Sequence, residues 1–316
     1  MLAIVAPGQG AQTPGFLAPW LELDSFAQRL AHLGQVSELD LAGLGTTADA
    51  ETIKDTAVAQ PLLVASAIAT AAELLGDQGE EARVGLVAGH SVGELAAAAI
   101  ARVLSEGDAM LLVRERGRAM AKASAVRPTS MTAVLGGKAD EVLAAIETTG
   151  LTPANNNGSG QIVAAGTVEQ LAAFAENPPA RARLFPLSVA GAFHTVHMEP
   201  AVETLRAVAA GLQPKDAAVA LLSNRDGQAV TSGRDYLDRL VAQVANPVRW
   251  DLCLETMAAQ GVTGLLELTP AGTLTGIAKR NLKGVELFNL NTPDQLDEAR
   301  AFVDTHARAA ASEQGS

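Results

Sequence analysis

Apolar and polar positions fall along the chain in blocks that predict strands and helices in alternation. Leu2 to Ala6 is a short apolar run that empties into Pro7-Gly8-Gln9-Gly10, the pattern of a buried strand ending in a tight loop. Ala57 to Leu75 is rich in alanine and leucine at helical spacing, and Arg83 to Ala88 reads as a second buried strand. Gly89 to Gly93 then turns the chain. Helices are expected over Glu94 to Leu104 and Gly107 to Ala123, the second carrying Arg114, Arg116 and Arg118. A strand, a sharp turn and a helix form the α/β signature.

From Met131 to Ser188 the rhythm changes to strand, helix, strand, strand, helix, strand: MTAVLGG, ADEVLAAIETTG, LTPANNN, QIVAAG, TVEQLAAFAE and ARLFPLS. This βαββαβ order predicts a ferredoxin-like unit. Arg127-Pro128-Thr129 and Ala190-Gly191 bracket it, so the expected organisation is a small domain (127–189) inserted in a larger α/β domain (1–126 and 190–316). The α/β pattern resumes with a helix over Pro200 to Leu212, a strand at Val219 to Asn224 and a helix over Arg234 to Val244. A strand at Thr263 to Leu268 and a helix from Leu274 follow. The tail after Thr292 is polar and alanine-rich, and fraying is expected at its end. The expected fold is thus an α/β-hydrolase-like core with a mostly parallel sheet and a ferredoxin-like insertion.

Composition narrows the function. With 316 residues, 48% hydrophobic and 18% charged, the chain is neither disordered nor collagen-like and can bury its own core. Cys253 is the single cysteine, which excludes an internal disulfide and a Cys-rich zinc site and fits a reducing, cytoplasmic compartment. The N-terminus lacks a basic segment and its apolar run breaks at Pro7. No run of about 18 apolar residues follows, so neither a signal peptide nor a membrane span is expected. A formal charge of −12 without a long Lys/Arg run argues against nucleic acid as the main ligand.

The chemistry concentrates at Gly89-His90-Ser91-Val92-Gly93, a G-x-S-x-G pattern between a predicted strand and a predicted helix. In such an elbow the serine is exposed on a strained turn and the flanking glycines avoid collision; a tight turn without chemistry is the alternative. A serine at a helix start also meets free N–H groups that favour an oxyanion. The Val92 N–H is the natural first donor, and Gln9, in the loop after the first strand, is the candidate second.

Among five histidines, His32 and His306 read as surface residues, and the His90 side chain is expected to point away from Ser91. That leaves His194 and His197 in GAFHTVHM, with His194 favoured as base and a core or capping role as the alternative. No acid stands out to orient it. Asp108, Asp140 and Glu141 lie between serine and histidine but fall in helices or the insertion, and a main-chain carbonyl or an amide would serve instead. Arg116 lies 25 positions after Ser91 and does not share its helix face with Arg114 or Arg118. If buried, its guanidinium implies a substrate with a second carboxylate.

GQGAQ, TAVAQP, GHSVGE, Arg116-Gly117, NNNGSGQIVAAG, GAFH and NPVRW, taken in order from Ala6 to about Arg280, carry a resemblance. The chain resembles the malonyl-CoA:acyl carrier protein transacylases of fatty acid and polyketide synthesis, in their freestanding bacterial form. The resemblance implies that Ser91 attacks the malonyl thioester, His194 is the base and Arg116 pairs with the malonyl carboxylate. It further implies oxyanion donors at Gln9 and Val92, and a histidine oriented by the main-chain carbonyl of Gln243. Asn155 and Asn157 would line the cleft, and Phe193 matches the malonyl-selective pattern. Val92 replaces the Leu, Ile or Gln of many relatives, and Thr269 interrupts a Gly-Pro pair common in the family.

The implied reaction moves malonyl from CoA to the phosphopantetheine thiol of an acidic acyl carrier protein, by a ping-pong cycle without metal or redox cofactor. Lys279, Arg280 and Lys283 form the densest basic cluster for docking that partner, with Arg181 and Arg183 as the second choice; a solvated helix end is the alternative. A serine hydrolase or thioesterase acting on acyl thioesters, and a non-catalytic carrier-protein-binding module, are the rival readings.

Overall fold

A computed structural model describes residues 1–76, 83–189 and 191–313. In chain order its principal elements are β1 (Leu2–Ala6), α1 (Asp24–Ser37), α2 (Leu41–Thr46), α3 (Thr56–Leu75), β2 (Leu86–Gly89), α4 (Gly93–Ile100) and α5 (Glu106–Ser124). Next come β3 (Thr129–Gly136), α6 (Ala139–Thr148), β4 (Thr152–Asn156), β5 (Gln161–Thr167), α7 (Val168–Glu176) and β6 (Ala182–Pro186). The chain ends with α8 (Glu199–Ala209), β7 (Ala220–Leu221), α9 (Gly233–Gln243), β8 (Val248–Arg249), α10 (Trp250–Ala259), β9 (Gly264–Glu267), α11 (Thr273–Asn281), β10 (Glu286–Asn289) and α12 (Leu296–Glu313).

One sheet has the order β10-β9-β1-β2-β7, and every neighbouring pair is parallel. Helices cover both faces, so β1 and β2 are wholly buried and read as continuous apolar runs rather than alternating ones. Because all five strands run the same way, the loops after Ala6, Gly89 and Leu221 open at one carboxyl edge, where α/β sheets place their ligands.

The second sheet has the order β6-β3-β5-β4-β8, antiparallel except for the β4–β8 pair. Its first four strands with α6 and α7 reproduce the βαββαβ order read from the sequence. The fifth strand comes from outside that stretch: β8 pairs Val248 with Asn155 and draws the NPVRW segment against the second sheet. Ala190, part of the expected boundary, and residues 314–316, at the end of the tail, lie outside the described residues.

Several expectations need correction. The strand expected from Arg83 starts only at Leu86, and the one expected over Val219 to Asn224 shrinks to β7, because Leu222 bridges Ala229 and Asn224 turns its polar groups to the turn at Ser91. The tail forms the helix α12, a regular element that its polar, alanine-rich composition did not announce. Leu296, Ala299, Val303 and His306 recur at helical spacing on the buried side of α12. His306 is therefore not a surface residue; its Nδ1 lies 2.9 Å from Thr263 Oγ1. Finally, α3 is long and apolar enough to cross a membrane, with a mean hydropathy of 1.6, contrary to the reading that no such run exists. Yet 83% of that window is buried inside the protein, where α3 is the central core helix packed on α1, α4 and α5.

Candidate active site

The first turn after β2 forms as the glycine spacing requires. A Cβ on Gly89 would lie 2.0 Å from the Gly93 carbonyl carbon, and one on Gly93 would lie 2.3 Å from the Ala6 oxygen, so no larger residue lets α4 start this close to the sheet edge. Between them Ser91 sits at φ 54°, a left-handed conformation that a non-glycine residue adopts only under constraint. Two bonds from Asn224 supply the constraint. Its Oδ1 accepts from the Ser91 N–H at 2.7 Å, and its Nδ2 donates to the Gly89 carbonyl at 2.8 Å.

His194 arrives from the loop before α8, also in the left-handed region at φ 62°, with its N–H donating to the Val244 carbonyl. Its Nδ1 lies 2.9 Å from the Gln243 main-chain oxygen, and its Nε2 lies 2.7 Å from Ser91 Oγ. A carbonyl only accepts, so Nδ1 carries the proton and the Nε2 lone pair faces the serine hydroxyl. The missing acid is thus replaced by a main-chain carbonyl. Burial and the neighbouring Arg116 charge push the His194 pKa down to about 3, which keeps the imidazole neutral.

Arg116 is 3% exposed on α5. Its Nη2 donates to Gln243 Oε1 at 2.8 Å and reaches Ser91 Oγ at 3.4 Å, while Nη1 is buried with no protein acceptor among the described residues. Leu95, Leu112, Leu205 and Leu240 surround a space of about 10 Å³ next to it and exclude solvent from the charge. Burial lowers its pKa to about 10 against the raising pull of Glu94, and it stays charged at neutral pH. Arg114 and Arg118 point elsewhere, to Glu38 and Glu115, as their helical spacing implies.

The Gln9 side chain donates to Thr56 Oγ1 and the Lys54 carbonyl at the start of α3, at 3.3 and 3.4 Å. The main-chain N–H groups of Gln9 and Val92 make no hydrogen bond to protein among the described residues, and Val92 caps α4. Asn157 enters the site through His90, whose Nε2 lies 2.9 Å from Asn157 Oδ1. The His90 side chain is thus directed to Asn157, on the loop after β4. Asn155 is buried on β4, its amide without a protein partner among the described residues, and it makes no contact with the serine–histidine pair through hydrogen bonds. Phe193 is buried beside Gly191.

Lys279, Arg280 and Lys283 lie exposed at and beyond the end of α11. Arg280 Nη2 donates to Gln161 Oε1 at 2.6 Å, which ties α11 to the second sheet. Arg181 and Arg183 are exposed as well. A cavity of about 610 Å³ between α3, α4 and the loop before β7 contains none of these groups.

Three contributors escaped sequence reasoning: Asn224, Glu94 and the side chain of Gln243. Glu94 has the clearest signal in retrospect, a lone carboxylate in the alanine-rich helix GELAAAAI. It is fully buried, and desolvation raises its pKa to about 8 despite hydrogen bonds from Asn224 and Gln243 and the nearby Arg116.

A parallel sheet that presents a strained serine to a neutral histidine at its carboxyl edge defines the class of serine–histidine α/β proteins. Within that class the chain belongs to the acyl transferase domain family, whose model matches residues 4–310. It is 51% identical over 298 residues to the malonyl CoA-acyl carrier protein transacylase of Mycobacterium tuberculosis H37Rv, covering 94% of this chain and 99% of that relative. The crystal structure of MCAT from Mycobacterium tuberculosis superposes with a TM-score of 0.91 over 95% of this chain and 99% of that one, at 51% identity. A type II PKS acyl-carrier protein in complex with its malonyl-transacylase provides a second similar structure, with a TM-score of 0.87, 30% identity, and coverage of 95% and 99%.

Proposed function

We propose that the protein is an acyltransferase that carries a malonyl group from CoA to the phosphopantetheine thiol of an acyl carrier protein through a malonyl-serine ester. One observation carries this reading: Ser91 Oγ lies 2.7 Å from a neutral histidine nitrogen and 3.4 Å from a buried arginine that has a spare donor.

His194 Nε2 takes the Ser91 proton as Oγ attacks the malonyl thioester carbonyl. The Val92 and Gln9 N–H groups receive the developing oxyanion, a type of contact worth about 3 kcal/mol per donor. The C–S bond then breaks, and the thiolate of CoA leaves with the proton from His194. In the second half the carrier thiol gives its proton to the same nitrogen and attacks the ester, and Ser91 recovers its proton. When the malonyl carboxylate neutralises Arg116, one cause of the low His194 pKa is removed, so the base strengthens once the correct substrate is bound. Nucleophile, base and oxyanion donors are all protein groups, and the proposed cycle calls on no metal or redox cofactor.

Asn155, Asn157 and Phe193 are assigned to the substrate cleft, and Lys279, Arg280 and Lys283 to docking of an acidic carrier protein. The finer architecture belongs to the same proposal: an α/β-hydrolase-like domain (1–126 and 190–316) with a ferredoxin-like domain (127–189), supported by the two sheet orders. A cytoplasmic setting is part of it, supported by the lone, buried Cys253.

The test is to incubate the protein with malonyl-CoA, and separately acetyl-CoA, without carrier protein, and to take intact and peptide mass spectra after quenching. A malonyl adduct on the Ser91 peptide with little acetylation is expected. Continuous CoA release with no adduct would mean hydrolysis, and neither adduct nor CoA would leave only a binding module.

A further inference from the structure

Behind the serine, histidine and arginine lies a second layer of polar groups, and all its routes meet at Glu94. This residue is in the first turn of α4 and 2% exposed. Its Oε1 accepts from the Asn224 N–H at 2.6 Å and from the Tyr236 hydroxyl at 3.4 Å, while Oε2 accepts from Gln243 Nε2. The routes through Asn224 and Gln243 each end on a group of the site. Asn224 holds the Ser91 N–H and the Gly89 carbonyl. Gln243 holds Arg116 through Oε1, Ser91 through a bond from Nε2 to its carbonyl at 3.1 Å, and His194 through its main-chain oxygen.

The direction of the Gln243 amide matters most. Both carboxyl oxygens face N–H donors, so Glu94 acts as an acceptor at each end: the Gln243 NH₂ faces Oε2, and the amide oxygen is left to face the guanidinium, which only donates. We propose that Glu94 is a positioning residue for malonyl transfer: its carboxylate sets the sense of the Gln243 amide that aims Arg116, and through Asn224 it braces the turn that carries Ser91. The inference rests on the malonyl-transfer reading and adds a residue to which that reading gives no role.

Glu94→Gln separates positioning from packing, because glutamine fills the same volume but cannot accept at both ends. If its oxygen faces Gln243, its NH₂ opposes the Asn224 N–H. If its NH₂ faces Gln243, the Gln243 amide turns and presents NH₂ to Arg116, donor against donor. Buried hydrogen bonds to charged groups imply a fall of roughly tenfold to a hundredfold in kcat/KM for malonylation of Ser91, with a smaller fall for acetylation, which makes no use of Arg116.

The second variant is Gln243→Met, which keeps the main-chain carbonyl for His194 and removes the amide. It is expected to lower the malonyl-to-acetyl ratio in the same way, and Glu94→Gln added to it should change that ratio no further. The measurements are single-turnover acylation rates with the two CoA thioesters, read by mass spectrometry, alongside thermal melting. An unchanged ratio in Glu94→Gln, equal losses for both acyl groups, or additive effects of the two substitutions on the ratio would each overturn the proposal. If Glu94→Gln does not fold, an unchanged ratio in Gln243→Met overturns it. Absence of malonyl-Ser91 in the unaltered protein would instead remove the functional reading beneath it.

Discussion

Replacing Arg116 by alanine is expected to change which acyl group the protein accepts more than how fast it works on a simple one. In the free protein the guanidinium is 3% exposed, Nη2 is held by Gln243 Oε1 at 2.8 Å, and Nη1 is buried without a protein acceptor among the described residues. A malonyl carboxylate on Ser91 completes a charge-assisted pair there. Leaving one member of such a buried pair alone costs about 3–5 kcal/mol. At about 1.4 kcal/mol per factor of ten, malonylation should fall roughly a hundredfold to a few thousandfold. Acetyl offers no carboxylate and already leaves the guanidinium unpaired, so its transfer should hold steady or rise. Quenched-flow acylation of Ser91 with malonyl-CoA and acetyl-CoA reads both rates, with Arg116→Met as a volume control against collapse of the Leu95, Leu112 and Leu205 wall. Equal losses for the two substrates would refute the reasoning, since they would mean that Arg116 supports the site without meeting the acyl group.

His194 sets the pH behaviour. Burial first, and Arg116 second, lower its pKa from 6.5 to about 3, so the folded protein keeps it neutral while the unfolded chain protonates it below about 6.5. Its contribution to stability is therefore complete above pH 6.5 and is lost as pH falls toward 3, and the kcat/KM for Ser91 acylation should show no histidine limb near 6.5. A limb centred there would contradict the buried, neutral base. Gly89→Ala places a methyl group 2.0 Å from the Gly93 carbonyl carbon, and thermal melting should show a loss of about 3 kcal/mol or more; an unchanged melting temperature would count against the close strand-to-helix approach. Charge reversal at Lys279 and Lys283 should raise KM for carrier protein roughly threefold to tenfold at low ionic strength while self-malonylation stays the same, and salt should erase the difference. An unchanged KM would move docking elsewhere, with Arg181 and Arg183 next in line.

The local elements were legible where one physical cause dominates. Buried parallel strands are continuous apolar runs, so β1 and the core of β2 stand out, and the glycines of GHSVG announce a turn that nothing larger can make. Where the cause is distributed, reading fails. β7 has only two residues because Asn224 serves the elbow instead of a ladder, and α12 looks like a polar tail until its Leu296, Ala299, Val303 and His306 stripe meets the sheet.

The chemistry divides along the same line. Serine, histidine and arginine could be picked out because each needs its own residue type in a local context: an elbow, a loop and a helix face. Their alignment depends on groups far apart in the chain, 103 positions between Ser91 and His194 and 133 between Ser91 and Asn224. That a main-chain oxygen orients His194 can be named from a family likeness, but no side-chain pattern encodes it, because every residue carries a carbonyl. Glu94 makes the point most sharply. Its position within GHSVGE is plain in the sequence, yet its place at the centre of the site exists only once α4, α9 and the loop after β7 pack together, because burial turns an ordinary surface carboxylate into an acceptor that three donors must satisfy.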